Sequence, residues 1–221
     1  MPNVTTRAHV ELPMPEPPHY SGTFIAFEGG ERAGKSTQAK LLAEHLRAAG
    51  REVLLTREPG GTPAAEVIRD VVLNPMYDGL DARAEALLFA ASRGEHVARL
   101  VRPALDRGDV VITDRYLDSS IAYQGVARGL GRDVVEGLSL WATHGLVPDL
   151  TVVLDVDPDR GVGRVRNPDR LEAESIDFHH TVRKAFLGLA ARSPHRYLVL
   201  DAQRDRHALA REIAERVGQL S

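Results

Sequence analysis

The feature that most constrains this chain is the segment GGERAGKS at 29–36, which follows the apolar run 24–27 after a single residue. It matches the pattern G-x-x-x-x-G-K-S/T, and helical periodicity begins immediately after it. In such a setting the glycines let backbone N–H groups surround a phosphate, and the helix N-terminus adds positive charge. A glycine turn without a ligand would not require four matching positions between a strand and a helix. The segment therefore predicts an ATP-type triphosphate site formed by Gly29, Gly30, Glu31, Arg32, Ala33, Gly34, Lys35, Ser36 and Thr37.

Short apolar runs rich in β-branched residues alternate with longer stretches of helical periodicity from Thr23 onward. Such runs are typical of buried strands, and their alternation with helices favours a parallel sheet. We therefore predict an α/β fold with helices on both faces of the sheet. Strands are expected at 24–27, 53–56, 110–113, 150–154 and 197–200, and helices at 35–49, 63–73, 83–106, 133–143, 178–191 and 206–217.

Two segments depart from this alternation. Residues 1–21 contain four closely spaced prolines and are predicted to form a disordered leader. Residues 157–174 are dense in Gly, Arg, Asp and Pro and are predicted to form a mobile lid. Because 221 residues suffice for one sizeable core, we expect residues 22–221 to form a single domain.

Composition narrows the classes of function. Lys and Arg number 28 and Asp and Glu 31, so the formal net charge of −3 provides no general basic surface for nucleic acid. The absence of cysteine excludes disulfides and thiolate metal sites. The sequence contains neither an apolar run of the roughly 20 residues that a membrane span needs nor a signal-peptide pattern. We therefore expect a cytoplasmic protein that binds neither nucleic acid nor membrane.

Three further segments carry polar or aromatic residues to the expected ligand side of the sheet. TREPGGT at 56–62 and DRYLDSSIAYQG at 114–125 each begin at the carboxyl end of a predicted strand, where parallel sheets bind ligands. LLFAASR at 87–93 places Phe89 and Arg93 one helical turn apart, on the same face of a helix. These segments predict a second binding site beside the triphosphate loop.

Together, these segments resemble the thymidylate kinase family in order and spacing, from about Thr23 to the C-terminus. The matching segments are GGERAGKST, TREPGGT, LLFAASR, DRYLDSSIAYQG, PDLTVVLDVDP and DRLE within the predicted lid. The resemblance implies a P-loop nucleoside-monophosphate kinase that transfers the γ-phosphate of ATP to dTMP, giving dTDP and ADP. It also implies Mg²⁺ as cofactor and a homodimer.

The resemblance further implies how the acceptor nucleotide is bound. Phe89 is expected to stack on the thymine ring and Arg93 to donate to a ring carbonyl. Ser120 and Gln124 are expected to face the remaining polar edge of the base. Tyr123 is expected to lie against the deoxyribose, where a ribose hydroxyl would project.

The remaining expected roles concern phosphates and the metal. Arg57 and Arg115 are expected to hold the acceptor phosphate, with Glu31 near the sugar hydroxyl and Arg115. The residues expected to act on the transferring group are Lys35, Arg32, Arg115 and Arg170, the last from the lid, which also contains Arg164 and Arg166. Ser36 and Asp114 are the expected Mg²⁺ ligands, although Asp114 is equally suited to a structural hydrogen bond with the loop.

Two alternatives remain open at the level of sequence. The chain could phosphorylate another nucleoside monophosphate or a deoxynucleoside, since the P-loop does not specify the acceptor. It could also be a P-loop module that binds ATP without catalysis. Phe89 has an alternative role as a core residue, and Arg93 and the lid arginines have one as solvated surface residues.

Overall fold

The five predicted strands form one parallel sheet in the order β2-β3-β1-β4-β5. The protein is represented by a computed structural model that describes residues 19–161 and 167–220. Because β1 lies between β3 and β4, the loop that follows β1 opens beside the ends of both neighbours. The strands are β1 (Thr23–Gly29), β2 (Val53–Arg57), β3 (Val110–Asp114), β4 (Leu150–Asp155) and β5 (Tyr197–Asp201).

Helices cover both faces of this sheet, which confirms the predicted fold class. Successive side chains of the central strand β1 enter two separate cores: Phe24 and Ala26 pack on one face, and Ile25 and Phe27 on the other. All four are fully buried, as expected for a central parallel strand. The helices are α1 (Lys35–Ala48), α2 (Pro63–Leu73), α3 (Ala82–His96), α4 (Arg102–Asp106), α5 (Leu117–Ser120), α6 (Arg132–Ala142), α7 (Pro158–Gly161), α8 (Ile176–Arg192) and α9 (Arg206–Gly218).

The predicted helices agree with the structure except in two places, and the short α7 within the expected lid was not predicted. The helix expected at 83–106 consists of α3 and α4 joined by a π-helical turn at Val97–Val101. The segment after β3, which the sequence analysis treated only as a ligand-binding motif, is also helical, because α5 continues into a π-helical stretch at Ile121–Ala127. That helix carries Ser120, Tyr123 and Gln124 to the carboxyl end of the sheet. No helix in 19–161 or 167–220 combines the length and apolar character needed to cross a bilayer.

The two segments that interrupt the alternation are described in part. Residues 1–18 lie outside the described residues, and Tyr20 is packed against the core, with its hydroxyl donating to the carbonyl oxygen of Val147 at 3.3 Å. Tyr20, which the sequence analysis assigned to the leader, therefore contacts the core, and the domain boundary at residue 22 stays a prediction. In the predicted lid, residues 162–166 lie outside the described part, whereas Leu171 is buried against the core. Lid mobility stays a prediction.

Candidate active site

The loop between β1 and α1 depends on glycine for two different reasons. Gly29 has a φ of 134°, and a Cβ built there would lie 2.3 Å from the carbonyl oxygen of Leu154 on β4. Gly34 has a φ of 87°, but a Cβ there would meet no atom within 4 Å. Only the first position is closed by a neighbouring strand; the second requires glycine for its backbone angle alone. The Lys35 ammonium donates across the loop to the carbonyl oxygens of Gly29 and Gly30, at 3.2 and 2.8 Å.

A cavity of about 410 Å³ opens at the carboxyl ends of β1, β2 and β3, a size typical of small-molecule sites. All the residues predicted to bind the acceptor line it, and so do both predicted metal ligands. Gly29, Gly30 and Ala33 of the loop do not line it, and Ala33 is instead buried in the core. The predicted residues that line the cavity are Glu31, Arg32, Gly34, Lys35, Ser36, Thr37, Arg57, Phe89, Arg93, Asp114, Arg115, Ser120, Tyr123 and Gln124.

Arg115 occupies the centre of the phosphate end. It has a φ of 70° directly after β3, and its guanidinium donates to the carbonyl oxygen of Gly29 and to Ser119 Oγ, each at 3.1 Å. It also pairs with Glu31, whose carboxylate accepts from the Tyr123 hydroxyl at 2.9 Å. Burial alone would raise the pKa of Glu31, but the charges of Arg115 and Lys35 lower it to about 2. Glu31 is therefore anionic at neutral pH.

Burial and the positive charge of Arg115 together lower the pKa of Lys35 to about 8. Opposing contributions from Glu31 and Asp114 are smaller. An ammonium that faces another cation in a buried site is stabilised by a bound anion. The loop is thus electrostatically prepared for phosphate.

Two more arginines line the cavity beside the end of β2. The exposed Arg57 donates from one guanidinium nitrogen to both carboxylate oxygens of Glu66, at 2.9 Å each. Arg69, which the sequence analysis missed, donates to the carbonyl oxygen of Pro59 at 2.8 Å. Burial and the nearby charge of Arg57 lower the pKa of Arg69. The sequence feature that could have indicated Arg69 is its position on α2, the helix that begins directly after TREPGGT.

Ser36 and Asp114 meet at the mouth of the loop, where the Ser36 hydroxyl donates to the Asp114 carboxylate. A hydroxyl and a carboxylate are hard oxygen donors, the type that Mg²⁺ prefers. Both side chains line the cavity next to the phosphate loop. The donor set therefore fits the predicted metal.

At the base end, Phe89 and Arg93 line the cavity as predicted, but Arg93 is not a surface residue. It is 2% exposed, and its Nε donates to Glu58 at 2.8 Å. Its Nη2 donates to Ser120 Oγ at 3.0 Å and to the carbonyl oxygen of Tyr116 at 3.2 Å, and its Nη1 donates to a further hydroxyl, Ser139 Oγ, at 3.1 Å. The guanidinium is therefore locked in one orientation.

Two buried carboxylates at this end were not predicted as site residues. Glu58, within TREPGGT, also contacts His96 Nδ1 at 2.8 Å. Glu85, which is fully buried, accepts from Gln124 Nε2 at 2.8 Å. The partners lie tens of residues apart in the chain, so no local pattern indicates them.

Arg170, the predicted catalytic arginine of the lid, lies in a buried ion pair and not along the cavity wall. It is 6% exposed, its Nε donates to the carbonyl oxygen of Val72 at 3.0 Å, and its Nη2 pairs with Glu85 at 2.5 Å. It is absent from the described residues that line the cavity. The guanidinium thus forms a buried ion pair with a buried carboxylate. Its role at the transferring group stays a prediction. Arg164 and Arg166 lie outside the described residues.

A triphosphate loop shares one cavity with a second cluster of arginines, an aromatic ring and buried hydrogen-bonding groups. This combination defines a P-loop kinase whose acceptor is itself a nucleotide. The sequence model described as thymidylate kinase matches residues 27–213. The chain belongs to the thymidylate kinase family, and it is a phosphotransferase with thymidylate kinase function.

Individual relatives agree with this assignment. The chain is 53% identical over 202 residues to the thymidylate kinase of Clavibacter sepedonicus, covering 89% of this chain and 94% of that protein. It is 50% identical over 196 residues to the thymidylate kinase of Cutibacterium acnes, with 89% and 96% covered. The crystal structure of thymidylate kinase from Ehrlichia chaffeensis matches with a TM-score of 0.75 and 34% identity, over 90% of this chain and 99% of that chain.

Proposed function

We propose that the enzyme transfers the γ-phosphoryl group of ATP to dTMP, giving dTDP and ADP, and that it selects the base by a donor–acceptor–donor pattern in the cavity. Thymine presents the complementary pattern on its pairing edge: an acceptor at O4, a donor at N3–H and an acceptor at O2. The arrangement of three buried side chains, Arg93, Ser120 and Gln124, carries this proposal.

Each of the three side chains has one group left for a ligand. Glu85 accepts from the Gln124 amide nitrogen, which leaves the amide oxygen as an acceptor. Ser120 Oγ accepts from Arg93, which leaves the hydroxyl hydrogen to be donated. Arg93 Nη1 donates one of its two hydrogens to Ser139. Cytosine has a donor at position 4 and an acceptor at N3, so it mismatches this set, whereas uracil shares the edge of thymine.

The ring contacts support a pyrimidine deoxynucleotide in this orientation. Phe89 provides a flat surface at the cavity wall, and stacking of a base on an aromatic ring contributes roughly 1–3 kcal/mol. The Tyr123 ring is fixed by its hydrogen bond to Glu31 and lies 5.4 Å below the Arg115 guanidinium. A rigid ring at the sugar position would exclude a 2′-hydroxyl by its bulk.

The phosphates are expected to meet around Arg115. The Lys35 and Arg32 side chains would bind the donor phosphates, while Arg57 and Arg115 would bind the acceptor phosphate. The acceptor is already a phosphate anion, so alignment and charge neutralisation suffice and no strong base is needed. Arg115 already contacts the loop carbonyl of Gly29, and this contact supports a position between the two proposed phosphate sites.

Mg²⁺ would be held by Ser36 and Asp114, where it supplies positive charge to the triphosphate when bound. The Ser36 hydroxyl and the Asp114 carboxylate lie within hydrogen-bond distance of each other. Homodimerisation and a cytoplasmic location remain predictions from the sequence and its resemblance.

An assay across dTMP, dUMP, dCMP, dAMP and dGMP tests this function. With ATP and Mg²⁺, kcat/KM is expected to be highest for dTMP and lower for dCMP and the purines by about 10²-fold or more. A preference for a purine or for dCMP would replace the proposal with another nucleotide kinase. ATP consumption that no acceptor stimulates would instead indicate a P-loop module without acceptor transfer.

A further inference from the structure

We infer that Glu85 is a positioning residue for base choice, because it fixes the Gln124 amide so that its oxygen, and not its nitrogen, faces the base. The inference rests on the proposed function and deepens it. It assigns a role in selection to a side chain that itself does not line the cavity.

The surroundings of Glu85 make it an acceptor on both oxygens. It is fully buried on α3, and its Oε2 pairs with the Arg170 Nη2 at 2.5 Å. The Arg128 guanidinium lies at 3.4 Å from the same carboxylate. Neither arginine can accept a proton or a hydrogen bond, so the carboxylate between them serves only as an acceptor.

This acceptor decides which end of the Gln124 amide turns inward. The amide group has nearly the same shape in both orientations, so packing alone does not choose between them. In the reversed orientation the Gln124 oxygen would face a carboxylate oxygen at the 2.8 Å now occupied by a hydrogen bond. Repulsion between two buried acceptors makes that orientation unfavourable.

The other end of the amide is directed to the ligand. Gln124 is 1% exposed yet lines the cavity. Within the described residues, no hydrogen bond is made to its side-chain amide oxygen. A base that donates from N3 satisfies this oxygen, whereas a base with an acceptor at N3 leaves two acceptors opposed. Glu85 therefore transmits a preference for thymine without touching it.

A purely structural role for Glu85, as counterion to Arg128 and Arg170, predicts different behaviour. Such a role would lower stability and act on every kinetic constant together. A role through Gln124 must disappear once the amide is removed. A double-mutant cycle between the two residues separates these cases.

The experiment compares the single variants Glu85→Gln and Gln124→Met and their double variant with the wild type. It measures kcat, KM for dTMP, KM for ATP, and the ratio of kcat/KM for dTMP to kcat/KM for dCMP. Each single variant is expected to raise KM for dTMP about tenfold, with KM for ATP unchanged. The double variant is expected to match Gln124→Met within about twofold. Glu85→Gln is expected to lower the ratio of kcat/KM for dTMP to kcat/KM for dCMP. The amide introduced at position 85 can pair with Gln124 in either orientation, so the Gln124 amide is free to rotate.

Two controls keep the outcome interpretable. Asp118→Asn removes another buried carboxylate, which accepts from the Tyr197 hydroxyl and does not line the cavity, and it is expected to leave KM for dTMP unchanged. Glu85→Asp retains the charge opposite Arg170 but withdraws the acceptor from Gln124. If Glu85→Gln does not fold, Glu85→Asp takes its place in the cycle.

Losses that multiply in the double variant, or an equal rise in both KM values, would overturn the inference while leaving dTMP phosphorylation by the wild type intact. A wild-type enzyme that does not phosphorylate dTMP would overturn the proposed function first, and this inference with it.

Discussion

The two ends of the cavity are positioned in different ways. At the phosphate end, Arg32 and Ser36 are exposed, and the backbone of the loop after β1 determines where they lie. At the base end, Arg93 and Gln124 are almost completely buried and are held by the carboxylates Glu58 and Glu85. The triphosphate loop is thus built from consecutive residues, whereas the base end is held by side-chain pairs far apart in the chain.

This difference predicts different consequences of substitution. An exposed side chain on a rigid loop can be removed with little effect on the fold, so its loss should appear in kcat. A buried charge that belongs to an ion pair cannot be removed without leaving its partner unpaired. Substitutions at the base end should therefore change KM for dTMP and the stability of the protein together.

The largest effect is expected from Lys35→Ala. Among the residues that the structure describes, the ammonium hydrogen-bonds only to the loop carbonyls of Gly29 and Gly30, so we expect the fold to persist and turnover to be lost. Circular dichroism and a coupled ATP assay measure the two quantities. Retention of a tenth of wild-type kcat would show that Lys35 does not neutralise the phosphates.

Arg32→Gly is expected to lower kcat roughly 10³-fold with little change in either KM, as for other arginines that stabilise phosphoryl transfer. Arg32 has a φ of 60°, which glycine accepts without strain, so the backbone should not respond. Arg170→Ala is the matched comparison: we expect it to lower the melting temperature and keep kcat within threefold. A kcat near that of the wild type in Arg32→Gly, with a large loss of kcat in Arg170→Ala, would assign the catalytic charge to the lid.

Arg93→Ala is expected to raise KM for dTMP by tens of fold and to leave KM for ATP nearly unchanged. The variant also leaves Glu58 buried with one cationic partner fewer, which should cost about 3–5 kcal/mol of stability. Arg183→Ala removes an arginine that pairs with Asp155 and does not line the cavity, and it serves as the control. Equal rises of both KM values in Arg93→Ala would point to a structural role alone.

Activity should depend on pH through Lys35. Its pKa is lowered from 10.5 to about 8, so the ammonium is present below this pH and lost above it. We expect kcat/KM for ATP to fall about tenfold per pH unit above 8, while kcat at saturating ATP, where bound phosphate favours the ammonium, stays flatter. Because the unfolded chain binds this proton up to a higher pH, the same group raises the free energy of unfolding between pH 8 and 10.5. A pH-independent kcat/KM would contradict the lowered pKa.

The smallest effect is expected from Tyr123→Phe, which removes one hydrogen bond to Glu31. This variant should lower kcat/KM for dTMP by about fivefold. Tyr123→Ala should instead narrow the preference for dTMP over its ribonucleotide, because bulk excludes the 2′-hydroxyl. Measuring kcat/KM for dTMP and for its ribonucleotide in both variants separates the effect of the Tyr123 hydroxyl from that of its ring. Unchanged discrimination in Tyr123→Ala would assign the sugar position to another residue.

The same contrast explains what the sequence could predict. The strands and the phosphate loop follow from local patterns, since β1, the glycines and Lys35 are consecutive in the chain. The residues at the base end could be named from their motifs, but not their orientation. That orientation depends on pairs such as Glu58 with Arg93 and Glu85 with Gln124, whose members are brought together only by the fold.

Arg170 shows the limit most clearly. Its motif, DRLE, matches the family, and on that basis we expected the side chain at the transferring phosphate. The structure pairs it with Glu85, a residue of α3, and no pattern in the sequence links the two. The π-helical stretch at Ile121–Ala127 was missed for a related reason, because its glycine and aromatic residues give no regular apolar face.

The two kinds of glycine in the phosphate loop also set how freely this enzyme can diverge. At Gly34 only the backbone angle is demanding, and asparagine or aspartate tolerate such angles, so a mutational library should recover a few alternatives there. At Gly29 the carbonyl oxygen of Leu154 fills the space of any side chain, so each substitution must also displace β4. Glycine at position 29 is therefore required by the packing of the sheet. We expect it to be retained in variants of this enzyme that bind a different nucleotide.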